Sequence, residues 1–234
     1  MNTTSQSAIR DPQSEVLEAV ELQTTPHPAA TVIWLHGLGA DGYDFVPVVR
    51  ELESLGAPPA RYVFPHAPPM PVTINGGGVM RAWYDILGTD LVRREDEAGI
   101  RASQAAVERL IEREVERGTP AARIVLAGFS QGGAIALQTG LRRPQPLAGL
   151  VALSCYLPLA DRFEAERDPA SARVPIFLAH GDADPIVPIA RGTASRDRLA
   201  ALGHPVQWHE YPMQHSVCAE EIRDIAAFLQ SVLR

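Results

Sequence analysis

Read for its apolar positions, the chain is a series of short hydrophobic runs, each stopped by turn residues. TVIWL from Thr31, YVF from Tyr62, IVLA from Ile124, LAGLVAL from Leu147 and VPIFLA from Val174 are apolar at successive positions. That pattern predicts strands buried on both faces, as in a parallel sheet. VQWHEY from Val206 alternates more and predicts an edge strand. EVLEAVEL from Glu15 fits either an early edge strand or a turn of helix. Between the runs the period lengthens. Val107, Leu110, Ile111 and Val115 share one helical face opposite charged residues, and Ile222, Ile225, Ala226, Leu229, Val232 and Leu233 recur at three and four. Strand–helix alternation along the whole length predicts an α/β fold, a central and mostly parallel sheet flanked by helices. Without an internal repeat or linker, residues 1–234 are expected to form one domain, with 1–14 as a flexible N-terminal segment.

From Pro65 to about Glu95 the rhythm breaks, with four prolines and a triple glycine. A structureless loop this long in a compact domain is usually functional or disordered. Trp83 and Tyr84 favour a packed, functional loop, because disordered segments are poor in aromatics.

Gly128-Phe129-Ser130-Gln131-Gly132 matches G-x-S-x-G. The pattern alone is weak, but here a buried-strand run precedes it and a helical run follows it. That is the setting of a nucleophile elbow, in which a tight strand-to-helix turn exposes a serine hydroxyl and flanking glycines remove side chains that would clash. The helix beginning there favours developing negative charge. A serine nucleophile needs a base, and the base an orienting acid, following in the order serine, acid, histidine. Of seven histidines, His204, His209 and His215 come late enough. His204 sits in a turn and His209 within a strand. His215 alone falls in a loop at the catalytic edge, just before the last helix. The acid belongs after VPIFLA, where Asp182 and Asp184 compete and spacing does not separate them. Two backbone N–H groups should hold the oxyanion: that of Gln131, after the serine, and that of Leu38, in the loop after TVIWL.

GLGADG, with Gly37, Gly39 and Gly42, also fits the dinucleotide fingerprint G-x-G-x-x-G. That reading needs an acid at the end of the next strand, which instead ends Phe64-Pro65-His66, and it leaves Ser130 and His215 unexplained.

Composition narrows the chemistry further. The chain is 46% hydrophobic and 21% charged, with net charge −7, and each of its 21 bases is arginine. Absence of lysine excludes Schiff-base chemistry and a Walker A lysine. The acidic balance argues against nucleic acid or an anionic membrane as partner. No apolar run reaches membrane-spanning length and the N-terminus lacks a signal-peptide pattern, so a cytoplasmic location is expected. Cys155 and Cys218 show no metal spacing and read as buried small hydrophobes.

HGLGADG, PHAPPMPVTINGG, MRAWYDI, EDEAGI, GFSQGGA, ALSCYLP, HGDADPIVP and YPMQHSV together resemble the carboxylesterase/acyl-protein thioesterase family, in order and over nearly the whole chain from about Thr31. The likeness is strongest to its small bacterial carboxylesterases. It implies an α/β-hydrolase fold without a cap domain, a serine esterase that needs no cofactor or metal, and often a homodimer. By this resemblance the triad is Ser130, Asp184 and His215, since the family's acid precedes Pro-x-x-Pro, and Trp83 lies beside the substrate cleft as a substrate-binding residue. Gln214 and Gly78 depart from the family pattern, the latter at a position bearing on the acyl pocket.

The expected function is a serine carboxylesterase acting on short- to medium-chain esters in a shallow, open cleft. The alternative is an acyl-protein thioesterase acting on S-acylated proteins. A non-catalytic binding module of the same fold would be expected to have lost a triad member, and none is missing. The loops placed at the catalytic edge carry no arginine, and Arg81 is the nearest by sequence, so highly anionic thioesters such as acyl-CoA are expected to be poor substrates.

Overall fold

The computed structural model describes residues 16–88 and 95–234. Seven strands form one sheet: β1 (Ala19–Gln23), β2 (Thr31–Leu35), β3 (Arg61–Pro65), β6 (Ile124–Phe129), β7 (Gly149–Leu153), β8 (Ile176–Gly181) and β9 (Val206–Tyr211). Their order is β1-β3-β2-β6-β7-β8-β9. All neighbours run parallel except β1, which pairs antiparallel with β3. EVLEAVEL therefore resolves as an edge strand at Ala19–Gln23. VQWHEY forms the opposite edge, as its alternation predicts.

The continuous apolar runs are explained by burial on both faces. Ile33, Leu35, Val63, Leu126, Leu150, Ile176 and Leu178 point to one side, toward α2 (Glu97–Glu116), α3 (Gln131–Gly140), α4 (Ala160–Glu166) and α5 (Ile189–Ala201). Their alternating neighbours Val32, Trp34, Tyr62, Phe64, Val125, Val151 and Phe177 face α1 (Val48–Ser54) and α6 (Ala219–Val232) on the other. Side chains alternate across a strand, so each run supplies two cores at once.

Three details differ from expectation. Within the stretch expected as a loop from Pro65 on, β4 (Pro69–Val72) and β5 (Gly78–Arg81) pair as an antiparallel hairpin around a short 3₁₀ turn at Thr73–Asn75. Gly76 and Gly77, at φ 66° and 79°, make the reversal that a side chain would resist. Val115 is 42% exposed, while Glu114 one position earlier is fully buried. The stripe continues through the acid because its carboxylate meets Arg61 at 2.8 Å, Arg117 at 2.9 Å and Arg113 at 3.1 Å. Cys155 is buried as read, but Cys218 is only half-buried, its sulfur capping α6 by accepting from the Glu221 N–H. The expected flexible segment 1–14 lies outside the described residues. Among those described, no helix is long and apolar enough to cross a membrane.

Burial opposes ionisation of Glu114, yet the Arg61 hydrogen bond and the charges of Arg117 and Arg113 outweigh it and hold its carboxyl below the usual glutamate range. A depressed folded-state pKa contributes stability above the unfolded value, and that contribution is lost as pH falls through the folded one. Glu114→Ala is expected to cost about 3 kcal/mol in denaturant unfolding at neutral pH, since it strands a cluster of arginines. Glu114→Gln should cost less, with its deficit against wild type shrinking in acid; a deficit independent of pH would contradict the ion-pair account.

Candidate active site

Where β6 runs into α3 the chain has almost no room. A Cβ on Gly128 would lie 2.3 Å from the carbonyl carbon and oxygen of Gly132, and one on Gly132 would lie 2.3 Å from the Leu35 carbonyl oxygen. Any side chain at either position collides with backbone. Between them Ser130 is held at φ 56° and ψ −119°, outside the usual range for a residue with a side chain. Its N–H donates to the Leu153 carbonyl at 2.8 Å, and its own carbonyl accepts the first helical bond, from the Ala134 N–H at 3.0 Å. Ser130 thus stands at the sheet's carboxyl edge and at the positive end of α3.

Around it opens a cavity of about 690 Å³, within the ~300–1,000 Å³ usual for small-molecule sites. Gly37, Leu38, Phe129, Ser130, Gln131 and His215 line it together. The imidazole of His215 packs against the Phe129 ring at 4.7 Å between centroids. Behind it, Nδ1 of His215 meets Oδ2 of Asp184 at 2.6 Å. The other oxygen of that carboxylate accepts the Ile186 and Val187 N–H groups at 2.8 and 2.9 Å. Asp184 is buried, whereas Asp182, two residues earlier, faces solvent. Burial and the imidazole contact separate two acids that spacing could not. His204 packs on Phe163 and His209 on Phe177. Neither lines the cavity.

The loop after β2 is tied down on several sides. Nε2 of His36 accepts the Ala67 N–H at 3.0 Å, so Nδ1 carries the proton and donates to the Gly37 carbonyl at 2.7 Å. Burial lowers the His36 pKa, which keeps this neutral tautomer in place. In a trans peptide the C=O and N–H point opposite ways, so anchoring the Gly37 carbonyl turns the Leu38 N–H away from the anchor. The loop does not open a helix directly, because α1 begins only at Val48. This is not the geometry of a dinucleotide-binding turn.

Trp83 is placed differently from its expected position beside the cleft. It is 2% exposed, is absent from the cavity lining, and donates through Nε1 to the His36 carbonyl at 2.8 Å. The buried side chain of Gln131 clasps the same segment, accepting the Trp83 N–H at 3.1 Å and donating to the Tyr84 carbonyl at 2.8 Å. The indole is too large and too apolar to stay at a wet surface when an enclosed acceptor is in reach. Its neighbour Tyr84 reaches the cavity instead, with its hydroxyl 3.0 Å from that of Tyr156.

Two residues escaped the sequence reading. His180 donates through Nε2 to the Val187 carbonyl at 2.7 Å, bracing the turn that carries Asp184. Burial lowers its pKa, so it stays neutral there. Arg191, in the first turn of α5, also lines the cavity, which corrects the expectation of a cleft without arginine. On sequence it looked like one more charge on an amphipathic helix. Arg81, the earlier candidate, donates to the Ala67 carbonyl at 2.8 Å.

Among the described residues, no three His, Cys, Asp or Glu side chains converge in a way that could hold a metal ion. The groups that do converge are a hydroxyl on a strained turn, an imidazole oriented by a buried carboxylate, and backbone N–H groups at a helix head. That is equipment for acyl transfer.

A family model for phospholipases and carboxylesterases matches residues 17–233. The chain belongs to that family. It is a serine hydrolase of ester and thioester bonds with the α/β-hydrolase fold. Acyl-protein thioesterase 1 of Neurospora crassa is 46% identical over 212 residues, covering 86% of this chain and 85% of the relative. The Mycosarcoma maydis protein of the same name is 45% identical over 224 residues, covering 88% and 92%. Among solved structures, acyl-protein thioesterase 2 of Zea mays superposes with TM-score 0.81 at 29% identity, covering 93% of this chain and 99% of that one. Arabidopsis thaliana SOBER1 gives 0.83 at 29% identity, covering 88% and 99%.

Trp83→Phe keeps an aromatic ring in the core but removes the N–H that holds the His36 carbonyl. If the Leu38 N–H serves the transition state rather than ground-state binding, displacing its loop while the cavity wall stays is expected to lower kcat by up to about a hundredfold with little change in KM. Steady-state kinetics check this, and a rise in KM at unchanged kcat would return Trp83 to the substrate.

Proposed function

We propose that this family member hydrolyses S-acylated proteins, releasing the fatty acyl group through an acyl-Ser130 intermediate. The observation that carries the substrate class is similarity of 40–46% identity to proteins named acyl-protein thioesterase 1, each spanning more than four-fifths of the chain. The cavity suits it: beside Ser130 its walls include Leu38, Ile74, Ile86, Phe129, Ile186 and Val187, enough apolar surface to take an acyl chain out of water. Ile74 comes from the turn of the β4–β5 hairpin, so that segment adds apolar surface to the cleft wall. A cytoplasmic setting, where thiols stay reduced, fits two free cysteines and a cysteine leaving group.

In this mechanism His215 takes the Ser130 proton as the hydroxyl attacks the thioester carbonyl. Asp184 keeps the proton of His215 on Nδ1, so that Nε2 is the base, and stabilises the imidazolium that forms. The Leu38 and Gln131 N–H groups receive the oxyanion, aided by the head of α3. His215 then gives its proton to the departing cysteine sulfur. Water, activated by the same imidazole, frees the acid and restores the serine.

Short- to medium-chain carboxylic esters are the second reading. The same residues would cleave them, since an alkoxide leaves by the same proton transfer.

Release of long-chain acid from an S-acylated cysteine peptide, compared with hydrolysis of a short-chain aryl ester, tests the substrate class. The peptide is expected to have the higher kcat/KM; the reverse order favours the carboxylesterase reading. Ser130→Ala should lower kcat on either by about a millionfold. Asp184→Asn should cost about ten-thousandfold through the wrong imidazole tautomer, with Asp182→Asn close to wild type. Equal damage from both asparagine variants would overturn the acid assignment.

A further inference from the structure

The cavity wall contains a cation that the mechanism does not use. The guanidinium of Arg191 lies over the Tyr156 ring, 4.7 Å from its centroid, and the Tyr156 hydroxyl meets that of Tyr84 at 3.0 Å. All three side chains line the cavity that holds Ser130 and His215. Nη1 of Arg191 is buried and has no hydrogen-bond partner, and among the described residues no carboxylate lies within ion-pair distance of the group. Glu95 feels the Arg191 charge at longer range, but its hydrogen bonds go elsewhere, as do those of Asp184. Both oxygens of Glu95 take the Leu159 N–H, at 3.1 and 3.2 Å, while Asp184 is bound by His215 and the turn behind it. A guanidinium cannot shed its charge, and this residue is only partly buried at the cavity wall, so the group as a whole, rather than the enclosed Nη1, is open to an acceptor there. Among the described residues, Arg191 alone of the arginines with an orphaned buried nitrogen borders the cavity.

We propose that Arg191 is a specificity-determining residue whose guanidinium, seated on Tyr156, receives a carboxylate carried by the substrate away from the scissile bond. A planar carboxylate with a single charge matches one guanidinium fork. A phosphate group brings more charge than one arginine balances, and Asp44, which also lines the cavity, together with the net charge of −7, would oppose it more strongly than a singly charged carboxylate. The inference rests on the reading that acyl substrates occupy this cavity. It narrows that class to thioesters and esters bearing an acidic group, either at the far end of the acyl chain or on the thiol that leaves.

Two series of matched thioesters separate those sources. One pairs a dicarboxylic monothioester with its far-end methyl ester; the other pairs a carboxylated thiol leaving group with its methyl ester. The readout is the ratio of kcat/KM for the acid to that for its neutral partner. Wild type is expected to favour the acid in one series. Arg191→Gln should lower that ratio by about ten- to a hundredfold, the worth of a charge-assisted hydrogen bond, with Arg191→Lys retaining part of the preference. A wild-type preference for the neutral member in both series overturns the inference, whatever the variants do. So does an acid preference that survives Arg191→Gln in a protein with a cooperative thermal transition. Absence of turnover on every substrate overturns the functional reading and this inference with it, whereas turnover without acid preference overturns the inference alone.

Discussion

At the junction of β6 and α3 the backbone of the helix's first turn presses against the end of β2 with less room than a methyl group needs. Gly132 sits against the Leu35 carbonyl, and Gly128 against Gly132 itself. This contact sets the rest of the site. With the helix held so close to the sheet, the residue between the glycines can reach it only at positive φ, and Ser130 is lifted clear of both elements. Strain at one residue is sustained because the parallel sheet on either side, buried on both faces, fixes the two ends of the turn.

The neighbouring loops take their positions from the same junction. Gln131, one step past the serine, uses its side chain to hold the Trp83–Tyr84 segment, and Trp83 in turn holds the His36 carbonyl. His36 fixes the next peptide. A single chain of hydrogen bonds therefore connects the helix head to the loop that carries Leu38. On the far side, Asp184 is bound by its own turn, and His180 braces that turn from below. The residues lining the cavity are thus backed by buried polar groups most of whose partners are made, which is what preorganisation demands. Two exceptions stand out among the described residues: Nδ1 of His180 has no partner, and neither has Nη1 of Arg191, on the one arginine that lines the cavity there.

Much of this could be read in advance because it follows from local pattern. Runs such as TVIWL and IVLA declare strands covered on both sides, and glycine on both sides of a serine at a strand–helix seam has few other uses. What could not be read depends on contacts between distant segments. Asp182 and Asp184 differ by two positions in one turn; spacing alone does not separate them, the family resemblance favours Asp184, and the physical difference, the direction of burial, shows only in the fold. Trp83 sits in a segment that does border the cleft, yet its indole turns inward because the His36 carbonyl, 47 positions away, offers it an acceptor. Glu114 displaces Val115 from the buried face because Arg61, on another element, supplies the counter-charge. Arg191 follows an ordinary helical pattern, and nothing local marks it as lining a cavity. The hairpin at Pro69–Arg81 was hidden by its prolines, which argue against strands except at edges, where these are.

The central claim is that the glycine-walled turn makes Ser130, alone among the chain's serines, a nucleophile. Incubation of the native protein with an alkyl fluorophosphonate, followed by intact-mass measurement and peptide mapping, tests this without any assumption about substrate. One adduct per chain, located on Ser130 and lost when the protein is unfolded before labelling, is the expected result. No adduct on the folded protein, or one on a different serine, would contradict it.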